Sequence, residues 1–275
     1  MKKFLALTLA CVCAFSLCAC GEENAQPAAS DNNAEATAAV ESDLEYVQGN
    51  GVLVVGITDF EPMDYKDADG NWIGFDADMA AAFAESIGVE VKFVEIDWDN
   101  KIMELDGKTV DCIWNGMTIT DEVTSSMEVS NAYCNNAQVV VVNADVADNY
   151  ATTDSLTELS FAVEAGSAGE EQATSYGLNY TPVESQANAL MEVAAGTSDA
   201  AIIDALMAAA MVGEGTSYEN LVYTVSLNSE EYGVGFRTGS DLCEALNEFL
   251  KTSYADGTMM DIATKYGVQA AVVEQ

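Results

Sequence analysis

The sequence predicts an α/β protein of two lobes, each a mainly parallel sheet flanked by helices, with a ligand cleft between them. Three observations lead there. From residue 52 onward, short β-branched runs alternate with stretches of helical period, the pattern of βαβ units. The alternation comes in two sets, and a last strand and two helices follow the second set. The chain has 275 residues and is 49% hydrophobic, enough for two cores. In open α/β sheets, ligands bind beyond the carboxyl ends of the strands, so a cleft between lobes is the expected site.

In the first set, Val52–Ile57 reads as a buried strand. Asp76 is expected to cap a helix whose apolar residues Met79, Phe83 and Ile87 recur every four positions, with Gly88 as its stop. Residues 89–96 form the next strand, 100–105 a short helix and 110–114 a third strand. In the second set, residues 139–142 and 161–163 are strands and Gly166 opens a helix. Gln186–Ala195 is a helix closed by Gly196, residues 200–203 a strand and 206–212 a helix. The chain ends with a strand at 232–236, a helix begun by Ser240 with Leu242, Leu246 and Phe249 inward, and a last helix before Gly267. Lobe one is expected over 50–135 and 231–275, lobe two over 138–226, joined by two crossing segments.

Charge and composition exclude much. Nine basic residues stand against 46 acidic ones, a surface that repels nucleic acid and anionic lipid head groups. There is no histidine, which removes the usual general base and the commonest zinc ligand. No enzyme activity, metal or cofactor is expected. Asp67-Ala-Asp69-Gly70 faintly suggests a calcium loop, but Tyr65 occupies the first ligand position and a hairpin turn is the expectation.

The N-terminus carries an address. Lys2 and Lys3 precede a sixteen-residue apolar run from Phe4 to Ala19, too short for a comfortable membrane span and right for a secretory signal. It ends in Leu17-Cys18-Ala19-Cys20-Gly21, which resembles the lipobox of bacterial lipoproteins. That resemblance implies a signal peptide over 1–19 and a diacylglycerol on Cys20; the plainer alternative is an ordinary cleaved signal. Residues 20–48, rich in small and polar residues, read as a flexible tether of about 25–30 Å reach. Cys112, Cys134 and Cys243 remain, an odd number without CxxC spacing. A Cys112–Cys134 disulfide is possible in principle, but buried free thiols are the favoured reading.

Three stretches then carry a more specific resemblance. They are Asp69-Gly-Asn-Trp-Ile-Gly-Phe-Asp-Ala-Asp-Met79, Asp111-Cys-Ile-Trp-Asn-Gly-Met-Thr-Ile-Thr-Asp121 and Gly196-Thr-Ser-Asp-Ala-Ala-Ile-Ile-Asp204. In order and spacing they resemble DGxxxGFDxDL, DxIxxGMTITxxR and GxxDAxxxD of the periplasmic-type binding proteins for polar amino acids, the family 3 solute-binding proteins of ABC importers. The likeness runs over residues 52–268. It implies the periplasmic-binding-protein fold, a monomer, an ABC permease as partner and an extracytoplasmic location held only by the lipid anchor. Carried over by position, it implies a pocket with Phe60 and Trp98 as aromatic walls. Asn115, Gly116 and Thr118 would donate to a ligand carboxylate from the first lobe, and Ser167 and Ala168 from the facing turn. Asp204 would receive an ammonium group, and Gln186 would line the second lobe. A carboxylate ending the apolar strand Ala-Ala-Ile-Ile demands a donor or cationic partner in its own right.

One position departs from the pattern. Where the motif ends in an arginine that grips the ligand carboxylate, this chain has Val123. Three readings stay open: the ligand lacks a free carboxylate, another cation replaces the arginine, or the turn N–H groups suffice. Lys101 is the candidate cation, and its bland alternative is a solvated helix lysine. The expected ligand is an amino acid or a related small polar or cationic molecule. The competing functions are a sensing module working through a separate signalling partner and a dehydratase on the same fold.

Overall fold

A computed structural model of the chain describes residues 42–275. The expected signal peptide, Cys20 and the tether up to residue 41 lie outside the described residues. The first segment holds α1 (Asp43–Asn50), β1 (Val52–Ile57), a hairpin of β2 (Tyr65–Lys66) and β3 (Trp72–Ile73), α2 (Phe75–Ser86) and β4 (Glu90–Glu95). It continues with α3 (Lys101–Asp106), β5 (Cys112–Thr118), α4 (Asp121–Ser126), β6 (Glu128–Val129) and β7 (Cys134–Asn136). The second segment holds β8 (Gln138–Asn143), β9 (Ser160–Glu164), α5 (Ala168–Ser175), β10 (Asn179–Val183), α6 (Gln186–Ala195), β11 (Ala200–Asp204), α7 (Ala205–Met211) and β12 (Leu221–Ser226). The chain then returns through β13 (Glu230–Phe236), α8 (Leu242–Asp256) and α9 (Thr258–Lys265).

Two sheets define two lobes within one compact unit. The first has the order β4-β1-β5-β13-β6, with β7 also paired to β13. The second has the order β10-β9-β11-β8-β12. Each is mixed rather than purely parallel. In the first, β1 runs parallel to β4 and β5 while β13 is antiparallel to β5. In the second, β9 is parallel to β10 and β11 while β8 is antiparallel to β11 and β12. The reversed strands, β8 and β13, are those entered directly from the other lobe without a crossover helix. The crossing segments hydrogen-bond to each other: Glu230 pairs with Asn136, and the Leu227 amide donates to the Gln138 carbonyl at 2.8 Å.

Strand alternation feeds two faces of the second sheet. Val140 and Val142 join Phe161, Val163 and Ile202, whereas Val139 and Val141 pack with Leu190, Ile203 and Met207. In lobe one, Leu53, Val55, Phe83, Trp114 and Leu246 lie on one face of the sheet, and Trp98, Ile113, Met117 and Val123 form a separate cluster on the cleft side.

Several expectations need correction. The tether does not extend to residue 48. Ser42 caps α1, Val47 is fully buried, and Asp43 pairs with Arg237 at 3.0 Å, so the end of the expected tether is packed into lobe one. Asp76 is not the cap of α2. Gly74 holds that place at φ 135°, where a Cβ would lie 2.0 Å from the Met63 carbonyl oxygen, so only glycine fits. Asp76 sits in the first turn and points into the core. The final long helix begins at Leu242, after Asp241, rather than at Ser240. Edge strands β10 and β12 escaped the sequence reading, and β10 carries Pro182, a residue tolerated on sheet edges. The Asp-Gly segment forms the expected hairpin, with the Asp67 carboxylate accepting from the Asp69 and Asn71 amides. Cys112, Cys134 and Cys243 are buried free thiols.

Candidate functional site in the cleft

A cavity of about 410 Å³ lies between the lobes, and it brings together all nine residues expected to bind ligand: Phe60, Trp98, Asn115, Gly116, Thr118, Ser167, Ala168, Gln186 and Asp204. They arrive from strand ends and the turns that follow. Phe60 and Trp98 come from loops after β1 and β4, and both are nearly buried. Phe60 stands edge-on to Tyr232 with centroids 6.4 Å apart.

Asp204 ends β11 and is the hub of the floor. Its Oδ1 accepts from the side chains of Asn136, Gln138 (2.8 Å) and Tyr232 (2.9 Å), and its Oδ2 accepts from Gln186 Nε2. Gln186 closes the pair by accepting from the Asp204 amide at 2.8 Å. Asn136 and Gln138 also donate to Glu230 Oε1, so two carboxyl groups share the same donors. Burial, then the Glu230 charge, pushes the Asp204 carboxyl up to about 8. Because Asn136, Gln138 and Glu230 lie on the crossing segments, Asp204 links the ligand floor to the connection between lobes.

The predicted donors behave differently from expectation. The Gly116 N–H does not face the cavity. It donates to Asp76 Oδ2 at 2.6 Å, and Tyr133 OH donates to the same oxygen at 2.7 Å. Asp76 therefore supports the turn from below, its carboxyl raised to about 7 by burial. Gly116 has φ 55°, and a Cβ there would lie 2.5 Å from Phe60 Cε1. Its lack of a side chain makes room for the Phe60 ring. Thr118 Oγ1 donates to Glu230 at 2.9 Å rather than standing free. Asn115 Oδ1 accepts from the Thr58 amide, while its Nδ2 is buried with no partner among the described residues. Ser167 caps α5 by accepting from the Glu170 amide at 3.2 Å, and Ala168 opens that helix toward the cavity.

Lys101 is not a solvated helix lysine. Its residue is 5% exposed, and its Nζ lies 5.1 Å from the centre of the Trp98 ring. The ammonium donates to the Gly166 carbonyl at 2.8 Å and to the Trp98 carbonyl at 3.3 Å. Burial lowers its proton affinity. Trp98 and Lys101 belong to lobe one and Gly166 to lobe two, so this contact spans the cleft. Gly166 itself, at φ 69°, lies so close to the opposite lobe that a Cβ would be 2.8 Å from Asp99 Cα. Val123 lines the cavity and is 4% exposed, so the position implied for a carboxylate clamp does face the site.

Sequence reasoning missed Glu164. It ends β9 as Asp204 ends β11, lines the cavity and is 3% exposed. The same signal that marked Asp204, a carboxylate closing an apolar strand, was present in Phe161-Ala-Val-Glu164. Burial, then the Asp204 charge, pushes it up to about 8.

Known proteins agree with this architecture. Residues 53–269 match the family of bacterial extracellular solute-binding proteins, family 3. The arginine-binding extracellular protein ArtP of Bacillus subtilis is 27% identical over 273 residues, 97% of this chain and 98% of that protein. The L-cystine-binding protein TcyJ of Escherichia coli is 27% identical over 227 residues, 81% of this chain and 85% of its own. A crystal structure of ArgBP from T. maritima superposes with a TM-score of 0.75 at 30% identity, over 82% of this chain and 98% of that one. The relatives are binding proteins, and the cleft described above is built to hold a small molecule. The chain therefore belongs to the bacterial extracellular solute-binding proteins, family 3.

Proposed function

We propose that the protein is a lipid-anchored extracytoplasmic receptor that captures an amino acid, or a close amine-bearing relative, and hands it to an ABC permease. The observation that carries this is Asp204, a 4%-exposed carboxyl at the cavity floor whose own hydrogen bonds reach both lobes and the crossing segments. An ammonium group bound there would donate a charge-assisted hydrogen bond to the carboxylate, and the lobes would close around it. Phe60 and Trp98 would wall the ligand, Asn115 Nδ2 and the Ser167–Ala168 turn would hold its polar end, and Lys101 would supply the cavity's positive charge. Residues 50–135 with 231–275 would move as one body against 138–226. Two of the relatives, one arginine-binding and one L-cystine-binding, support an amino-acid ligand.

Address and partner follow from the sequence. Residues 1–19 would be removed, Cys20 would carry the lipid, and residues 20–41 would let the receptor reach a permease in the same membrane. Fractionation of cells carrying Cys20→Ala tests the anchor: the protein should leave the membrane fraction, and unchanged attachment would overturn it. A thermal-shift screen of the purified protein against amino acids and amines tests the ligand class. At least one should raise Tm in a concentration-dependent way, and a uniformly negative screen would sink the reading.

A further inference from the structure

Resting on that reading, we infer that Glu164 is a specificity-determining residue that receives a second cationic group, so that the cleft takes ligands with two positively charged nitrogens. Glu164 and Asp204 close neighbouring parallel strands, with Val163 beside Ile202 in the register, and both residues line the same cavity. Asp204 is supplied with donors on both oxygens. Glu164 is only half supplied: the Gln186 side chain hydrogen-bonds to its carboxyl, but its Oε1 is buried with no hydrogen-bond partner among the described residues. A buried carboxyl oxygen left without a partner is costly, and one that faces a ligand cavity can be satisfied by the ligand itself.

The surrounding charges favour a cation in that role. Lys101 lines the same cavity and its charge is felt by Glu164, but its hydrogen bonds go to the Gly166 and Trp98 carbonyls. Glu122, Glu170 and Glu171 line the cavity as well, adding negative potential. The arginine that would have drawn an anion is replaced by Val123. In the empty cleft Glu164 keeps its proton near neutrality because burial disfavours the charge. A cation docking against it would displace that proton to solvent, leaving an ion pair.

The test is titration calorimetry on the full chain with L-arginine, butane-1,4-diamine and L-glutamine, for the wild type and Glu164→Gln. The wild type should bind arginine or the diamine more tightly than glutamine. The substitution, which keeps the side chain's size, should weaken the two dications by about 10- to 100-fold and leave glutamine within about threefold, as loss of a charge-assisted contact predicts. Repeating the titrations at pH 7 in buffers of different ionisation enthalpy should show up to about one proton fewer released on dication binding by the variant. That readout would not move if Glu164 were merely structural. Equal losses for all three ligands, no loss for the dications, or an unchanged proton count would each overturn the inference. Tight binding of glutamine alone by the wild type would overturn it while leaving the receptor reading intact. Failure of every amino acid and amine to bind would overturn both.

Discussion

Replacing Gly166 by alanine should impair closure while sparing the lobes themselves. Gly166 has φ 69°, and its Cα approaches the opposite lobe so closely that an added Cβ would sit 2.8 Å from Asp99 Cα and 2.9 Å from Asp99 Oδ1. Two costs follow, and they fall on different states. The left-handed backbone costs about 1 kcal/mol for a residue with a side chain, whether the cleft is open or closed. The clash with the Asp99 backbone exists only when the lobes meet, and relieving it separates Lys101 Nζ from the Gly166 carbonyl it now contacts at 2.8 Å. A hydrogen bond from a charged donor is worth about 1.5–3 kcal/mol, so affinity should fall by roughly 10- to 150-fold. Gly196 provides the control. It has φ 73° with nothing within 4 Å of its ideal Cβ, so Gly196→Ala carries the backbone cost alone. Thermal unfolding should show both variants losing similar stability, about 2–4 °C. Calorimetry should show lost affinity only for Gly166→Ala, and small-angle scattering should show that this variant fails to compact with ligand. Equal affinity in the two variants would refute the claim that contact at Gly166 is part of the bound state.

Two further outcomes follow from the same geometry. Asp76, Glu164 and Asp204 hold their protons to about pH 7–8 in the folded state, against about 4 when unfolded. The folded protein therefore binds more protons across that window, and ligand-free stability should fall as pH rises from 5 to 8. A scan of Tm against pH checks this; the decline should flatten in a Glu164→Gln, Asp204→Asn double variant, and a Tm that rises with pH would contradict it. Val123→Arg would place a guanidinium on the cavity wall beside Ile113 and Met117. It should strengthen binding of neutral zwitterionic amino acids about 10-fold in calorimetry, with about 1–3 kcal/mol of lost stability from overpacking; unchanged zwitterion affinity would show that the carboxylate already has its partner.

Much of this was legible in the residues. The β-branched runs placed the central strands, and the carboxylate at the end of Ala-Ala-Ile-Ile marked Asp204 because an apolar strand rarely ends on an unpaired charge. What stayed hidden was direction. Asp76 precedes an apolar helical stripe and reads as a cap, yet it turns inward because only a glycine fits at position 74, beside the Met63 carbonyl. Gly116 reads as an amide donor to ligand, yet that same Asp76 takes its N–H. Lys101 reads as either a cavity cation or a solvated helix residue, since nothing local announces that Trp98 and Gly166 will cover it from two lobes. Glu164 carried the same local signal as Asp204 but lay outside the three motifs. Local pattern thus located the elements and most of the cavity wall, while contacts between distant segments decided which atoms face the ligand.

Asp204 is the proposed ammonium partner on which ligand capture depends. Calorimetric titration of wild type and Asp204→Asn with L-arginine and L-cystine, at matched circular dichroism spectra, tests it most directly. Removing one partner of a buried charge pair costs about 2–5 kcal/mol, so the variant should bind whichever amino acid the wild type accepts roughly 30- to 5,000-fold more weakly. Affinity unchanged by the substitution would contradict the account and leave Asp204 as a structural tie between the lobes.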